Sequence, residues 1–463
     1  MIRRAEVGGG LVDVVISGRS IVDIVEAGRA GADELIDADG AALLPGLHDH
    51  HIHLLALAAA RRSVACGPPT VTDRDGFAAA LAAADRAAPS DTWIRGIGYH
   101  QSVAGDLDRQ ALDALVPARP VRVQHRSGQA WILNSAALDA AGIDGIGTPP
   151  GVELDADGRP TGRLFGLDDW LRSRVPAHAA ELAPVGRELA SYGVTAVTDA
   201  TPTADAEELG LLATAVERGE LRQRVVVTGA AGLNAEAAPQ LERGPVKLII
   251  ADHRLPHLDD LVRSYREARG LRRCIAVHCV TRASLVLALA AWEEVGVRPG
   301  DRIEHGAVIP LELTARIAQL GLTVVTQPVF VATRGDDYAR DVEPDDRPHL
   351  WRCATLEAAG VPVGGSTDAP FGDPDPWLGI AAAIHRRTVG GTILGPPERM
   401  SPTAALDLFL TPLERPGGPS RRVAIGEPAD LCLLDRPATD ALRAPSSGHV
   451  RLVVRDGAVI HGE

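Results

Sequence analysis

The sequence predicts an α/β protein built on a (β/α)₈ TIM barrel, with a small β-sandwich module drawn from both termini and a subdomain inserted after the first barrel strand. Three observations predict this. Short apolar strands alternate with Ala/Leu-rich helical stretches from about residue 185 to 410, a pattern that implies a parallel sheet. Both ends of the chain read instead as short strands punctuated by glycine and aspartate. The 463 residues exceed what a barrel of roughly 250 residues needs, which leaves room for additional modules.

The barrel strands are read in order as LPGLHDHHIH (44–53), GVTAVTDA (193–200), QRVVVTGA (223–230), PVKLIIAD (245–252), CIAVHCV (274–280), DRIEHGAV (301–308), LTVVTQPV (322–329) and VPVGGSTDA (361–369). Helical stretches such as TRASLVLALAAWEEVG and PLELTARIAQLG lie between them. Eight strands is the number that a closed barrel requires. The terminal strands VDVVISG, SIVDIVEAG and ELIDADGAALLPG at one end, and ADLCLLD and VRLVVRDGAVI at the other, are expected to meet in one module. The division expected is therefore 1–46 with 420–463 as the β module, 47–60 with 185–419 as the barrel, and 61–184 as an insert over the barrel mouth.

Composition excludes several function classes. A net charge of −14 would be repelled by nucleic acid or an anionic membrane. No apolar run approaches the roughly 18 residues of a membrane span, and MIRRAEVGGG lacks the apolar segment of a signal peptide. Five cysteines without CxxC spacing fit free thiols in a reducing compartment. A cytoplasmic protein acting on a small molecule is expected, with a homodimer left open.

The chemistry is concentrated at strand ends. His51 and His53 stand two apart in HDHHIH, so on a strand both face one way and can grip one metal ion. A bare His-x-His can also be a polar strand end. However, His278, His305 and Asp368 each fall at the C-terminal end of a different predicted strand, where barrel enzymes place their catalytic groups.

Lys247 is the only lysine in the chain, every other basic residue apart from histidine being arginine. Strand alternation puts it on the face opposite Val246, Leu248 and Ile250, and so into the barrel. A lone ammonium beside metal ions would be repelled and poorly solvated. A neutral lysine that has taken up CO₂ would instead be an anionic bridging ligand. Chance survival of one lysine, paired with Asp199 or Asp252, is the alternative.

This set of residues resembles the binuclear amidohydrolase superfamily and, within it, the branch called amidohydrolase family 3, which includes N-substituted formamide deformylases. The resemblance rests on PGLHDHHIHL, RSGQAWILNSAALDAAGI, GRPTG, PVKLIIAD, AVHCVTRASLVLALAA, RIEHG, GSTDAPFGDPDPWLGIAAAIHR and GEPADLCLLD, which together span almost the whole chain. It implies two divalent ions, Zn²⁺ being the expected metal. His51, His53 and Asp368 would hold one and His278 and His305 the other, with carboxylated Lys247 bridging. It further implies hydrolysis of an amide or formamide-type C–N bond by a metal-activated hydroxide, with Asp368 as general base and acid.

The chain departs from the branch pattern at three places. Gln129 stands where a histidine is usual, Val280-Thr281 replaces Gly-Asp, and Asp252-His253 replaces Asp-Gly. Arg126, Gln129, Trp131, Phe330 and Trp377 are candidates to line a substrate pocket, core packing being the alternative for the two tryptophans. Two rival readings are a mononuclear deaminase-like enzyme on the same fold, with Lys247 structural, and a non-hydrolytic isomerase or metal-binding relative.

Overall fold

The computed structural model describes residues 1–28, 35–87, 89, 92–145, 147–176, 181–233, 238, 240–252 and 254–462, without the side chain of Asp169. His253, one of the departures noted above, lies outside the described residues. The chain divides into two compact units, Met1–Leu55 with Leu182–Glu463, and Ala56–Glu181.

The first unit contains an eight-stranded, wholly parallel sheet. Its strands are β1 (Leu47–Ile52), β2 (Val194–Asp199), β3 (Arg224–Gly229), β4 (Glu242–Ile249), β5 (Ile275–Cys279), β6 (Arg302–His305), β7 (Thr323–Thr326) and β8 (Val363–Gly365). Each pairs with the next in chain order, from β1 through to β8. All six residues of β1 and of β2 are buried, as expected for a parallel sheet covered on both faces. The helices that cover it carry their own stop and start signals. Thr281 and Ser284 form a reciprocal capping box at the start of Arg282–Val295, and Gly321, at φ 70°, ends Leu311–Leu320.

The ladder stops at β8, and other groups stitch the seam back to β1. Asp368 N donates to the His51 carbonyl at 2.8 Å, and His53 N donates to the Ala369 carbonyl at 2.9 Å. Below them, Asp49 Oδ1 accepts from the amides of His51 and Thr367, both at 3.1 Å, while Oδ2 accepts the Thr367 hydroxyl. Burial raises the Asp49 carboxyl to about 7 even against these hydrogen bonds. The expected first strand, 44–53, is split: only Leu47 onward enters the barrel, and Leu43–Pro45 pairs with Leu431–Leu434.

That pairing belongs to a two-sheet module. One four-stranded sheet runs Ser20–Glu26, Gly10–Ser17, Ile2–Val7, Ile36–Asp37, and the other runs Ala458–His461, Val450–Arg455, Leu431–Leu434, Leu43–Pro45. Ile2, Val14, Ile21 and Leu43 share one apolar cluster with Leu431, Leu433, Leu452 and Val454, so residues from both ends of the chain fill one core. The strand Ile2–Val7 escaped sequence reading for a local reason. A register shift between Ile2 and Ala5, with Arg4 at φ 53°, breaks the alternation of apolar residues.

The second unit is a six-stranded mixed sheet in the order Val152–Leu154, Pro160–Phe165, Ala130–Leu133, Val121–His125, Ile94–Tyr99, Val64–Ala65. Helix Arg74–Ala87 contributes Phe77 and Leu81 to an apolar cluster with Ile94, Tyr99, Val121 and Val123. Among the described residues, no helix is long and apolar enough to cross a membrane.

The seam generates a prediction. Thr367→Val removes a hydroxyl that bonds a buried carboxylate, so unfolding should become easier by about 1–3 kcal/mol. A denaturation midpoint equal to that of the wild type would show that Asp49 and Thr367 do not hold the seam.

Candidate metal centre

Alternation along β1 sorts its crowded polar residues. His48 and His50 pack away from the barrel axis, where His48 Nδ1 bonds the Thr411 carbonyl at 3.0 Å and His50 Nε2 meets the Thr411 hydroxyl at 2.7 Å. Asp49, His51 and the following His53 face inward. Asp368 Oδ1 lies 3.5 Å from His51 Nε2 and 3.2 Å from His53 Nε2. The donor atoms of these three residues all lie within 4.8 Å of one another, a spacing suited to one ion.

The other histidines join this group. Ring centroids run from His53 to His51 at 5.3 Å, from His51 to His305 at 4.8 Å, and from His305 to His278 at 4.5 Å. Two of the side chains sit on unusual backbone: His305 at φ 69° and Asp368 at φ 56° are both left-handed. Such a conformation costs a non-glycine residue of order 1–3 kcal/mol, so the surrounding structure must impose it. It does so where β6 and the segment after β8 turn over the barrel end.

Three of the four rings are aimed from behind. His51 Nδ1 bonds Glu304, His305 Nδ1 bonds Gln327 Oε1 at 2.8 Å, and His53 Nδ1 meets the Thr201 hydroxyl at 3.3 Å. Partners at Nδ1 leave Nε2 as the free nitrogen, the arrangement that metal-binding imidazoles require. Burial, with the Lys247 charge, lowers the His51 imidazolium pKa to about 3, and burial with neighbouring charge lowers those of His278 and His305. All three are therefore neutral at physiological pH and able to offer a lone pair. Burial alone would raise Asp368, but its hydrogen bond to His53 and the nearby histidines hold it well below the usual carboxylate range, so it is ionised.

Beneath the histidines lies a buried charge network. Glu304 is fully buried and accepts from Arg302 Nε at 2.6 Å as well as from His51. Lys247 Nζ lies 3.8 Å from Glu304 Oε2, is buried, and has no hydrogen-bond partner. Burial lowers the Lys247 pKa to about 8 despite the attraction of Glu304. Neither Asp199 nor Asp252 partners it: Asp199 accepts the amides of Leu54 and Thr201, and Asp252 bonds Thr281. A buried amine without a hydrogen bond, beside neutral imidazoles and an ionised carboxylate, fits a divalent-metal site.

Sequence reading did not single out Glu304, Gln327, Thr201 or Phe371, whose ring is 5.5 Å from His53. Simple alternation sends Glu304 to the face opposite His305. The left-handed turn at His305 lets both point inward.

The aromatic candidate pocket residues each have local partners of their own. Phe330 packs with Val308, Trp351 and Leu394 beneath the Arg334 guanidinium, and Trp377 is fully buried with its Nε1–H on the Tyr192 carbonyl at 2.9 Å. In the second unit, Trp131 packs with Leu133, Leu138 and Leu164. Arg126 and Gln129 occupy the turn after Val121–His125, Gln129 being exposed.

Comparison with known proteins adds three findings. The sequence model described as "Amidohydrolase family" matches residues 34–461. An N-substituted formamide deformylase of Arthrobacter pascens is 26% identical over 502 aligned positions, covering 92% of this chain and 90% of the relative. Crystal structures of metal-dependent hydrolases from Pyrococcus horikoshii and Pyrococcus furiosus superpose with TM-scores of 0.74 and 0.68 at 20% and 22% identity. They cover 95% and 92% of this chain and 95% of each hydrolase.

Glu304 offers a direct test of the network. Glu304→Ala would strand the buried Arg302 and should cost about 3–5 kcal/mol of stability, whereas Glu304→Gln keeps an acceptor and should cost less. Equal unfolding midpoints for wild type and Glu304→Ala would contradict this.

Proposed function

The chain belongs to the amidohydrolase family, and from that premise we propose that it is a metal-dependent hydrolase of an amide or formamide-type C–N bond. The observation that carries this reading is the approach of Asp368 Oδ1 to within 3.2 and 3.5 Å of two imidazole Nε2 atoms. A hydrolase acting on C–N bonds is what the family provides, and the deformylase relative supports the narrower substrate class.

In this reading His51, His53 and Asp368 hold one ion and His278 and His305 a second, Zn²⁺ being the metal proposed. Lys247 would supply a further anionic ligand as a carbamate, formed when its neutral Nζ bonds the carbon of CO₂ and loses a proton. The lowered pKa of about 8 leaves a larger neutral fraction near physiological pH than an ordinary lysine has. Ions held there would supply Lewis acidity, which acidifies water and polarises a carbonyl.

The remaining steps belong to the protein. Asp368, ionised, accepts the proton of the attacking oxygen and delivers it to the leaving nitrogen. The C–N bond breaks, giving a carboxylate and an amine. Glu304, Gln327 and Thr201 keep the imidazoles oriented throughout, and Phe371 presents an apolar edge beside His53.

The 3.8 Å approach of Lys247 to Glu304 favours a second reading, in which the lysine remains a cation and one ion suffices. Substitution separates the two. If Lys247 bridges, Lys247→Arg should bind fewer ions than wild type, falling from about two per chain toward one or none. Lys247→Ala should lose activity on N-formyl and N-acyl amines and regain part of it with added short carboxylic acids. One ion per chain in active wild type, unaffected by removal of CO₂, would establish the mononuclear reading instead.

A further inference from the structure

The second unit contains a cationic cluster that has no role in the chemistry above. Arg95 and Arg122 are register partners on adjacent parallel strands, so both side chains leave one face of the sheet side by side. Both guanidiniums stack on Trp131, with Cζ 5.3 Å and 5.0 Å from the ring centroid. Arg95 is locked in place by donating to the Ser63 hydroxyl at 2.7 Å and to Gln124 Oε1 at 3.3 Å. Arg122 differs: its Nε–H is buried and has no hydrogen-bond partner.

The electrostatics are unbalanced. Among the described residues, the acidic group acting on both arginines is Asp168, whose Oδ1 already accepts from Trp131 Nε1 at 2.7 Å. Burial lowers both guanidinium pKa values to about 10, and for Arg95 repulsion from Arg122 adds to the effect. Among the described side chains, two cations and one carboxylate leave one positive charge uncompensated in a half-buried setting. An unmet buried donor is costly, and a planar guanidinium is the group best shaped to take a carboxylate through two parallel hydrogen bonds.

We propose that Arg95, Arg122 and Trp131 form a binding site for the carboxylate of a small organic acid, with the Arg122 guanidinium as the principal donor. A monoanion neutralises the surplus charge, whereas a phosphate dianion would overshoot it and lie against Asp168. The site stands on the second unit alone and is independent of the metal reading.

The test uses full-length, metal-free protein. Sodium acetate and sodium benzoate are titrated at constant ionic strength against sodium chloride while tryptophan fluorescence and binding heat are followed. Saturable binding of both acids is expected, weakened at least tenfold in Arg122→Leu and in Arg95→Leu. Arg122→Lys keeps the charge but loses the fork, so it should also bind at least tenfold more weakly, and this variant decides the matter if the leucine variants fail to fold. Absence of saturable binding, equal affinities in wild type and Arg122→Lys, or inorganic phosphate binding more tightly than either acid would overturn the proposal.

Discussion

The interaction on which the rest of the barrel core depends is the burial of the Glu304 carboxylate among Arg302, His51 and Lys247. A charge this deep is tolerated only when it is paired and hydrogen-bonded. Glu304 meets that condition by holding three elements at once: Arg302 of its own strand, His51 of β1 and Lys247 of β4. The same network fixes the His51 tautomer, while burial lowers the Lys247 pKa even though Glu304 attracts its charge. Stability of the inner barrel and orientation of His51 therefore have one source.

Strain and order at the barrel end follow from this. The left-handed His305 and Asp368 place their side chains over the network, and the amide and carbonyl groups beside Asp368 tie the β8 end to β1. Gln327 extends the support outward, donating to Ser366 Oγ at 2.9 Å while it holds His305, and Ser366 in turn donates to the Thr326 carbonyl. The first ligand layer is thus backed by a second that is itself anchored to strand backbone. That is how a site can be held to sub-ångström tolerance on rigid elements.

Much of the fold was legible because parallel strands buried on both faces are nearly continuous apolar runs, and the eight predicted here differ from the observed ones mainly at their ends. Strand β8 is shorter than VPVGGSTDA suggested, so Asp368 sits beyond the last ladder residue. The histidines, Asp368 and Lys247 could be found because each is a polar intrusion in such a run. Glu304 could not be assigned, because period-two reasoning fails at a residue with positive φ. Gln327 and Thr201 follow strands β7 and β2 and carry no pattern of their own. Pocket residues were the least readable: a tryptophan in a sequence signals burial, and only coordinates tell that Trp377 packs in a core while Trp131 carries two arginines.

The central claim is that this supported set of side chains is a metal centre. Anomalous diffraction at the zinc edge, from crystals grown with zinc chloride under CO₂-equilibrated conditions, tests it most directly. The account predicts two peaks about 3.5–4 Å apart, the first within roughly 2.0–2.2 Å of His51 Nε2, His53 Nε2 and an Asp368 oxygen, with density for a carbamate on Lys247 between them. A fully occupied single peak beside an unmodified Lys247 would leave the mononuclear reading in place of the bridged pair, and zinc bound only away from these side chains would contradict the claim.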